Sequence, residues 1–315
     1  MKNGRHEAPL HVQQLARRRA EARHERDYQI ADRLKSEIEE AGWKVVDYGP
    51  DYSLEPVRPP DTEADGVIRY GSSVSVPSRL DEPDEQSATL VAVDLLPPDA
   101  HGQAQVVTVM TDPAAVPLRP VFGAELVLSS TQLGLAAAWN IGLRRAVGAL
   151  VILFAPGITP THDIVEPLLE ALRDDSVGVA GSDGLISSDM RRWQSAGPGE
   201  VDALDARVIA FRRRDARQRG PLDERFATAR LLATWWSLVL RDEGADRRSR
   251  RALALDLDLQ SEGRQSTARV EDDAQARQAR RDFYRLVDRF GRRVDLLGEP
   301  IRPTAASAKA RRPRL

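Results

Sequence analysis

The chain has 315 residues, of which 30% are charged, with a formal net charge of -2 and no cysteine. The near-neutral balance excludes a chain-wide positive field for polyanions, and the lack of thiols excludes disulfide bonds, thiolate zinc sites and a cysteine nucleophile. The length is sufficient for one large and one small domain with a buried core.

Residues 1–56 are predicted to form a small helical module that ends in a β-ribbon. Leu10–Ala41 has a helical pattern with a break near Arg26–Tyr28, and Gly42 supplies the stop. Trp43–Tyr48 and Tyr52–Leu54 then flank a turn. The first residues carry no apolar signal region, and the longest apolar run, Ala146–Ala155, is too short to cross a bilayer. We therefore expect a cytoplasmic protein without a membrane span.

The run from Ala16 to Leu54 resembles the C-terminal tail domain of cysteinyl-tRNA synthetases, in which an Ala-Arg-rich helix precedes Ala-Asp-x-Leu and Gly-x-x-Val-x-Asp. In that family the tail helps to read the anticodon end of tRNA, so the resemblance implies tRNA as a partner. The synthetase signatures His-Ile-Gly-His and Lys-Met-Ser-Lys-Ser are absent from the sequence, which excludes aminoacylation. Acidic residues are interleaved with the arginines, and this pattern favours a salt-bridged helix face over phosphate binding. The arginines concerned are Arg17, Arg18, Arg19, Arg23 and Arg26.

Residues 57–87 are predicted to be a polar linker with one extended strand at Val67–Tyr70, and residues 300–315 a disordered basic tail. Between them, residues 88–299 read as an α/β domain with a mixed, Rossmann-like sheet flanked by helices. The predicted strands are Thr89–Leu95, Gln105–Met110, Glu125–Leu128, Val151–Phe154, Val177–Ala180, Ala203–Arg212 and Ala252–Leu259. The predicted helices are Leu135–Val147, Ile164–Arg173, Ala229–Leu240 and Asp273–Phe290.

The connection between the first two strands of this domain is short. Leu96–Ala104 begins with two prolines and is shorter than the crossover of a dozen or more residues that parallel neighbours need. Two interpretations stay open: either these strands pair antiparallel, or this half of the sheet has lost its first crossover helix.

Two blocks of the large domain carry a second resemblance. The first is GLAAAWNIGL at Gly134–Leu143, followed by AVGALVILFAPG and by VGVAG at Val177–Gly181; the second is VIAFRRRDARQRGPLDERF at Val208–Phe226. Together they resemble family-2 glycosyltransferases of the GT-A fold. The resemblance implies a GT-A-like domain that transfers a sugar, with inversion, from a nucleotide-diphosphate donor to a glycan or small-molecule acceptor. Such an enzyme needs a nucleotide pocket, a divalent cation (Mg²⁺ or Mn²⁺) held by carboxylates, and a carboxylate base.

The resemblance implies three residues for the nucleotide. Asp112 follows the second strand and corresponds to the acidic residue that contacts the base or ribose. Gly134 allows close approach of the backbone, and Asn140 matches the asparagine of the motif Asn-x-Gly-Leu. The alternative is that Asp112 begins an Asp-Pro turn and that Asn140 hydrogen-bonds backbone inside the fold.

The carboxylates that the family uses to bind the metal and to act as the base are only partly present in this sequence. Where the family has an Asp-x-Asp carboxylate pair, this chain has Ala155–Ile158, and none of these side chains binds a hard cation. His162 and Asp163 come next, but Asp163 is suited to cap the following helix. The candidates for the base are Asp223 and Glu224, because Ala227–Thr234 contains no carboxylate.

The leading hypothesis is therefore a family-2-like glycosyltransferase that has lost part of its catalytic site. The alternatives are a non-catalytic relative that binds a nucleotide sugar, a glycan or a protein, and an RNA-contacting protein that uses the N-terminal module.

Overall fold

The structure, a computed structural model, describes residues 8–48, 51–64, 66–95, 104–114, 123–244, 246–261 and 273–298. The chain forms two compact units. The first comprises Met1–Ser75 with Ser129–Thr131, and the second comprises Val76–Leu128 with Gln132–Leu315. The domain boundaries expected from the sequence stay predictions, and the expected tail at residues 300–315 lies outside the described residues.

The first unit begins with the helices α1 (Leu10–His24) and α2 (Tyr28–Glu40), followed by the antiparallel hairpin of β1 (Trp43–Tyr48) and β2 (Asp51–Pro56). The predicted helix break is present: Arg26 adopts a positive φ of 62°, and the Asp27 carboxylate accepts a hydrogen bond from the Ile30 N–H at 3.1 Å, which caps α2. Val12, Ala16 and Ile38 form a small core on which the hairpin packs. A second hairpin follows, made of β3 (Thr62–Ala64) and β4 (Val67–Tyr70).

An arginine of α1 is part of this core and not of its exposed face. The Arg19 side chain is buried, and its guanidinium donates two hydrogen bonds to the Asp47 carboxylate at 2.9 and 3.0 Å. These bonds raise the pKa of Arg19 and lower that of Asp47. Arg19 therefore joins α1 to β1, and it is not displayed for phosphate binding.

The second unit contains the large α/β domain. Its first strands are β5 (Gln86–Val93), β6 (Ala104–Met110) and β7 (Ala124–Ser129); α3 (Leu135–Arg145), β8 (Gly148–Phe154), β9 (Ile158–Pro160), α4 (Val165–Ala171) and β10 (Val177–Gly181) follow. Next come β11 (Gly184–Ile186), β12 (Gln194–Ala196), β13 (Gly199–Val201), β14 (Ala203–Leu204) and β15 (Val208–Arg212). The chain continues through α5 (Arg213–Arg219), α6 (Ala229–Arg241), β16 (Arg251–Ala254), β17 (Leu259–Ser261) and α7 (Asp273–Phe290).

Within this unit the main sheet has the order β13, β16, β10, β15, β8, β5, β6, β7. The strands β8, β5, β6 and β7 are parallel to one another, whereas β15 is antiparallel to both β8 and β10. The sheet is therefore mixed, as the sequence predicts.

The antiparallel interpretation of the first two strands is wrong. β5 and β6 pair in parallel, from Ala88 with Ala104 to Val93 with Val109. Both strands are almost completely buried, which is typical of parallel strands covered on both faces, so the length of the connection was a poor guide to their direction. The predicted loss of a crossover helix concerns residues 96–103, which lie outside the described part of the chain.

Helices cover both faces of the sheet. Leu90 and Ile152 belong to a core cluster with Leu168 of α4, whereas α3 packs on β5 and β6 from the side of Val91. Because neighbouring residues of a strand point to opposite faces, Leu90 and Val91 place α4 and α3 on opposite sides. The fold class predicted from the sequence, a mixed α/β sheet flanked by helices, is confirmed. No helix among the described residues is both long enough and apolar enough to span a membrane.

Two predicted strands are interrupted. Ala203–Arg212 divides into β14 and β15, and Ala252–Leu259 divides into β16 and β17. Asp256 and Asp258 lie in the connection between β16 and β17 and do not share a strand face. β16 ends at Ala254, and β17 pairs with β9, so the chain leaves the main sheet between them.

Candidate functional site

The strand order reverses between β5 and β8. From β5 the chain adds β6 and then β7 on one side, and it returns through α3 to place β8 on the other side. In open α/β sheets, ligands bind beyond the carboxyl ends of the strands at such a switch point. Val93 and Phe154 end the two strands here, so Asp94 and Ala155–Gly157 border the candidate crevice.

A carboxylate ties the ends of β5 and β6 together. Asp94 has a positive φ of 57°, and its two side-chain oxygens accept hydrogen bonds from the N–H and the Oγ1 hydroxyl of Thr111, both at 2.7 Å. The Asp94 N–H donates to the Val109 carbonyl at 3.0 Å. These bonds join the ends of β5 and β6. The sequence analysis did not single out Asp94, although an acid directly after the first buried strand was a signal for it.

Asp112 and Gly134 lie at this same edge. The Leu133 N–H donates to the Thr111 carbonyl at 3.2 Å, which brings the residues adjacent to Asp112 and Gly134 into contact. Asp112 is exposed, and its Oδ1 accepts from the Ala114 N–H at 2.8 Å, as in an Asx turn. Gly134 precedes the first turn of α3 and is exposed, and among the described residues other than its chain neighbours no atom lies within 4 Å of the position that a Cβ would take. Both residues are accessible to a ligand.

Asn140 lies inside the fold. Its side chain is buried, its Nδ2 donates to the Leu222 carbonyl at 2.9 Å, and its Oδ1 accepts from the Leu222 N–H at 2.9 Å. A further bond joins Nδ2 to Oε1 of Glu224 at 2.8 Å. The amide thus fastens the loop before α6 to α3. The assignment of Asn140 to the nucleotide stays a prediction.

The two candidates for the base are already engaged. The Asp223 carboxylate accepts three hydrogen bonds from the Arg225 guanidinium at 2.6 to 3.2 Å, and its side chain is only 16% exposed. The guanidinium of Arg225 lowers the pKa of Asp223 below its ordinary value. Glu224 is exposed, but its Oε1 accepts a hydrogen bond from the Nδ2 of Asn140. An ionised, paired carboxylate of lowered pKa is a poor proton acceptor.

The residues beyond β8 do not fit a divalent cation. Ala155–Gly157 offer no side-chain oxygen. Asp163 is not the N-cap of α4, which is Ile164, but its Oδ1 is engaged by the Val165 N–H at 2.8 Å. His162 Nδ1 lies 3.3 Å from Asp258 Oδ2, but both side chains are about three-quarters exposed, at 75% and 74%. Within the described ranges, no three His, Asp or Glu side chains converge as a metal site.

Two arginines of the second resemblance block support the fold. Arg213 is 1% exposed and donates to Asp84 Oδ1 at 2.6 and 3.0 Å and to the Ala146 carbonyl at 2.8 Å. Arg212 donates to the carbonyls of Val177, Leu172 and Asp174 at 2.5 to 2.7 Å. Both arginines belong to the second block, Val208–Phe226, but no structural role was predicted for them from the sequence.

No protein-family model matches the sequence, and no curated protein sequence matches it. Three solved structures are similar to this chain. GalNAc-T7 with UDP, GalNAc and Mn²⁺ has a TM-score of 0.48 and 11% sequence identity. The mannosyltransferase PcManGT from Pyrobaculum calidifontis with GDP-Man and Mn²⁺ has a TM-score of 0.37 and 16% identity, and S. aureus TarS 1-349 with UDP has a TM-score of 0.38 and 14% identity. The alignments cover 64%, 58% and 53% of this chain, respectively. The chain spans about half the length of these proteins, 48%, 59% and 57%.

Proposed function

We propose that this chain is a glycosyltransferase-like protein that binds a nucleotide-diphosphate sugar in the crevice between the carboxyl ends of β5, β6 and β8, without needing a divalent cation. One observation carries the proposal. The strand order reverses between β5 and β8, where open α/β sheets bind ligands, and the Leu133 to Thr111 hydrogen bond joins the chain next to Asp112 and Gly134, two of the residues implied by the family-2 resemblance.

The roles of these residues follow from their chemistry. The first N–H groups of an α-helix have no partner within the helix and attract anions, so the start of α3 after Gly134 is suited to the diphosphate. With no side chain at Gly134, the diphosphate has room to approach the backbone. The exposed carboxylate of Asp112 is suited to accept hydrogen bonds from the ribose or the base.

Transfer of the sugar to a glycan or small-molecule acceptor is the second candidate. The resemblance of both sequence blocks to family-2 glycosyltransferases favours it. Transfer needs a carboxylate to accept the acceptor's proton, and the candidates Asp223 and Glu224 are engaged by Arg225 and Asn140. The observed contacts therefore favour binding over transfer.

A calorimetric titration tests the proposal. A panel of UDP-, GDP- and dTDP-sugars is titrated into the full chain with EDTA and, separately, with Mn²⁺, and product formation is followed in the same samples. We expect one donor to bind equally well under both conditions. Binding that requires Mn²⁺ and leads to turnover would establish the metal-dependent enzyme, and the absence of binding to any donor would refute the proposal.

Two glycine variants locate the binding. Gly134→Val adds a side chain at the crevice, and we expect it to weaken donor binding at least about tenfold because the diphosphate loses its close approach. Gly197→Val is the matched control, because Gly197 lies at the β12 to β13 turn and the described part of the chain, its two neighbours apart, likewise places no atom within 4 Å of its Cβ position. Equal affinities of the two variants would place the donor elsewhere.

A further inference from the structure

The second unit contains a cavity of about 280 Å³ away from the crevice. Its buried floor is formed by Val201, Asp202 and Arg241, and its rim by more exposed side chains of residues 186–200. The Arg241 Nε donates to the carbonyl of Arg250 at 2.7 Å, directly before β16 begins. The cavity therefore lies beside the amino end of β16, whereas the crevice lies at the carboxyl ends of β5, β6 and β8. It is a second, separate candidate site.

Arg241 brings an unused hydrogen-bond donor to this cavity. The side chain is only 4% exposed; Nε donates to Arg250, and Nη1 donates to the Asp202 carbonyl. Its Nη2 makes no hydrogen bond to any residue that the structure describes. Arg241 also lines the cavity, so its guanidinium is fixed by two backbone carbonyls while one N–H group stays available at the cavity surface. A guanidinium N–H group held in this way is suited to donate to an acceptor on a bound molecule.

The walls of the cavity are held in place by carboxylates. The Asp202 side chain accepts from the Gly298 N–H at 2.6 Å and from the Ser187 N–H at 2.8 Å. Asp189 Oδ1 accepts from the N–H groups of Arg191 and Arg192 at 2.9 and 2.8 Å. The loop that carries the rim is thus preformed, as is usual for small-molecule sites.

The lining indicates a neutral, hydroxyl-rich ligand. Two arginines, Arg192 and Arg241, face three acids, Asp189, Glu200 and Asp202, so the cavity has no excess of positive charge for an anion. Donors and acceptors are mixed along the rim, where Ser188 and Gln194 add groups of both kinds. Sugar hydroxyls donate and accept hydrogen bonds, and they can satisfy both kinds of group at once. The volume lies just below the roughly 300–1,000 Å³ that holds a drug-sized ligand, which limits the ligand to one sugar ring.

We propose that this cavity binds one neutral monosaccharide unit, with a ring hydroxyl accepting from the Nη2 group of Arg241. The site goes beyond the donor crevice and does not depend on it. It would give the chain a second contact with carbohydrate, next to β16.

The test uses the full chain without nucleotide. Glucose, galactose, mannose and N-acetylglucosamine are titrated as neutral probes, with glucuronate and inorganic sulfate as anionic probes, and binding is followed by saturation-transfer NMR. We expect at least one neutral sugar to bind with a millimolar Kd and to bind more tightly than either anion. Absence of neutral-sugar binding, or tighter binding of glucuronate or sulfate, would overturn the proposal.

Variants of the rim and floor locate the sugar. Ser188→Ala combined with Gln194→Ala removes exposed polar groups, and we expect the affinity to fall at least about fivefold. Ser195→Ala changes an exposed neighbour outside the cavity and serves as the matched control. Arg241→Lys removes the Nη2 donor, and its thermal unfolding shows whether the chain stays folded. If the control weakens binding as much as the double variant, the sugar lies elsewhere.

The two proposals can fail independently. Gly134→Val should leave monosaccharide binding unchanged, and the double rim variant should leave donor binding unchanged. Loss of sugar binding in Gly134→Val would place the monosaccharide in the donor crevice and would refute a separate site.

Discussion

The residues of the Asn-x-Gly-Leu motif act in this protein through packing and hydrogen bonds. Asn140 holds both backbone groups of Leu222, which is itself only 2% exposed. Sequence reasoning finds the motif but cannot decide its role, because one amide side chain can bind a nucleotide or a backbone segment equally well. The role of Asn140 depends on where the loop of residues 220–224 packs, and the hydrogen bond from Asn140 to Leu222 joins positions 82 residues apart.

Asn140→Ala should destabilise the protein. The substitution leaves the buried N–H and carbonyl of Leu222 without partners, and each unsatisfied group costs about 1–3 kcal/mol, so we expect a loss of about 2–4 kcal/mol. Urea denaturation of the unsubstituted protein and of Asn140→Ala measures this loss in the free energy of unfolding. Glu224→Ala removes only one bond to the same amide and should cost less; a loss from Asn140→Ala no larger than from Glu224→Ala would contradict this role.

The carboxyl group of Asp223 should titrate below its ordinary pKa. The hydrogen bond from Arg225 favours its charged form, so this pair stabilises the fold above the pKa of the unfolded chain, and the contribution is lost as the pH falls through the lower folded-state pKa. A carboxyl-carbon NMR titration should give a midpoint below about 3.9, and Arg225→Gln should raise it. A midpoint near neutral pH would instead identify Asp223 as a general base.

At the scale of single elements, α3 lies unusually close to β5. A Cβ at Gly142 would come within 2.1 Å of a methyl group of Val91, so only glycine fits this contact. The glycine of the motif is therefore explained by helix-to-sheet packing. Helix propensity alone would favour alanine by about 1 kcal/mol, which is why propensity cannot reveal the constraint.

Gly142→Ala should destabilise the protein despite that propensity. Overpacking of a core costs about 1–3 kcal/mol, which outweighs the gain in helix propensity. Gly197→Ala, where the new methyl group meets open space, should change the stability by less than about 0.5 kcal/mol. Equal stabilities of the two variants in chemical denaturation would show that α3 can move away from β5 without cost.

The helix α7 caps the start of α6. Thr228 precedes α6 without a side-chain cap of its own, and Asp282 of α7, which is fully buried, accepts from the N–H groups of Ala227 and Thr228 at 2.9 and 2.8 Å. The sequence analysis predicted α7 with its correct bounds, Asp273–Phe290, from its apolar stripe. It did not find the cap, because the partner residues lie 54 and 55 positions apart.

Asp282→Ala should destabilise α6. Two partly exposed N–H groups lose a charged acceptor, and we expect a loss of about 1–3 kcal/mol, with reduced amide protection in the first turn of α6. Asp282→Asn retains an acceptor oxygen and should cost less. Asp288→Ala, on the exposed face of α7, should not change the stability or the amide protection of α6. If Asp282→Ala leaves the amide protection of α6 unchanged, Asp282 does not cap this helix.

At the scale of the whole molecule, the sequence predicted the α/β class and most strands, because buried apolar runs and helical periodicity are local signals. It did not predict the parallel pairing of β5 with β6 or the division of Ala252–Leu259 into β16 and β17. These features are set by burial on both faces and by pairing with β9, which are distant contacts. The contacts of Asp94 and Asp282 were missed for the same reason.

Within the two sequence blocks that resemble family-2 glycosyltransferases, several residues make buried contacts that stabilise the fold. Asn140, Gly142, Arg212 and Arg213 all have close structural partners, whereas Ala155–Gly157, directly after β8, carry no side-chain oxygen for a cation. This contrast is the reason that the donor titration includes a condition with EDTA.

Backbone amide NMR with a bound nucleotide sugar in EDTA tests this central claim most directly. We predict that the largest chemical-shift changes occur at Asp94, Asp112, Gln132–Gly134 and the first turn of α3. If the chemical shifts of these amides do not change at a saturating donor concentration, or if the changes are confined to the cavity beside Arg241, the proposal of donor binding at this crevice is contradicted.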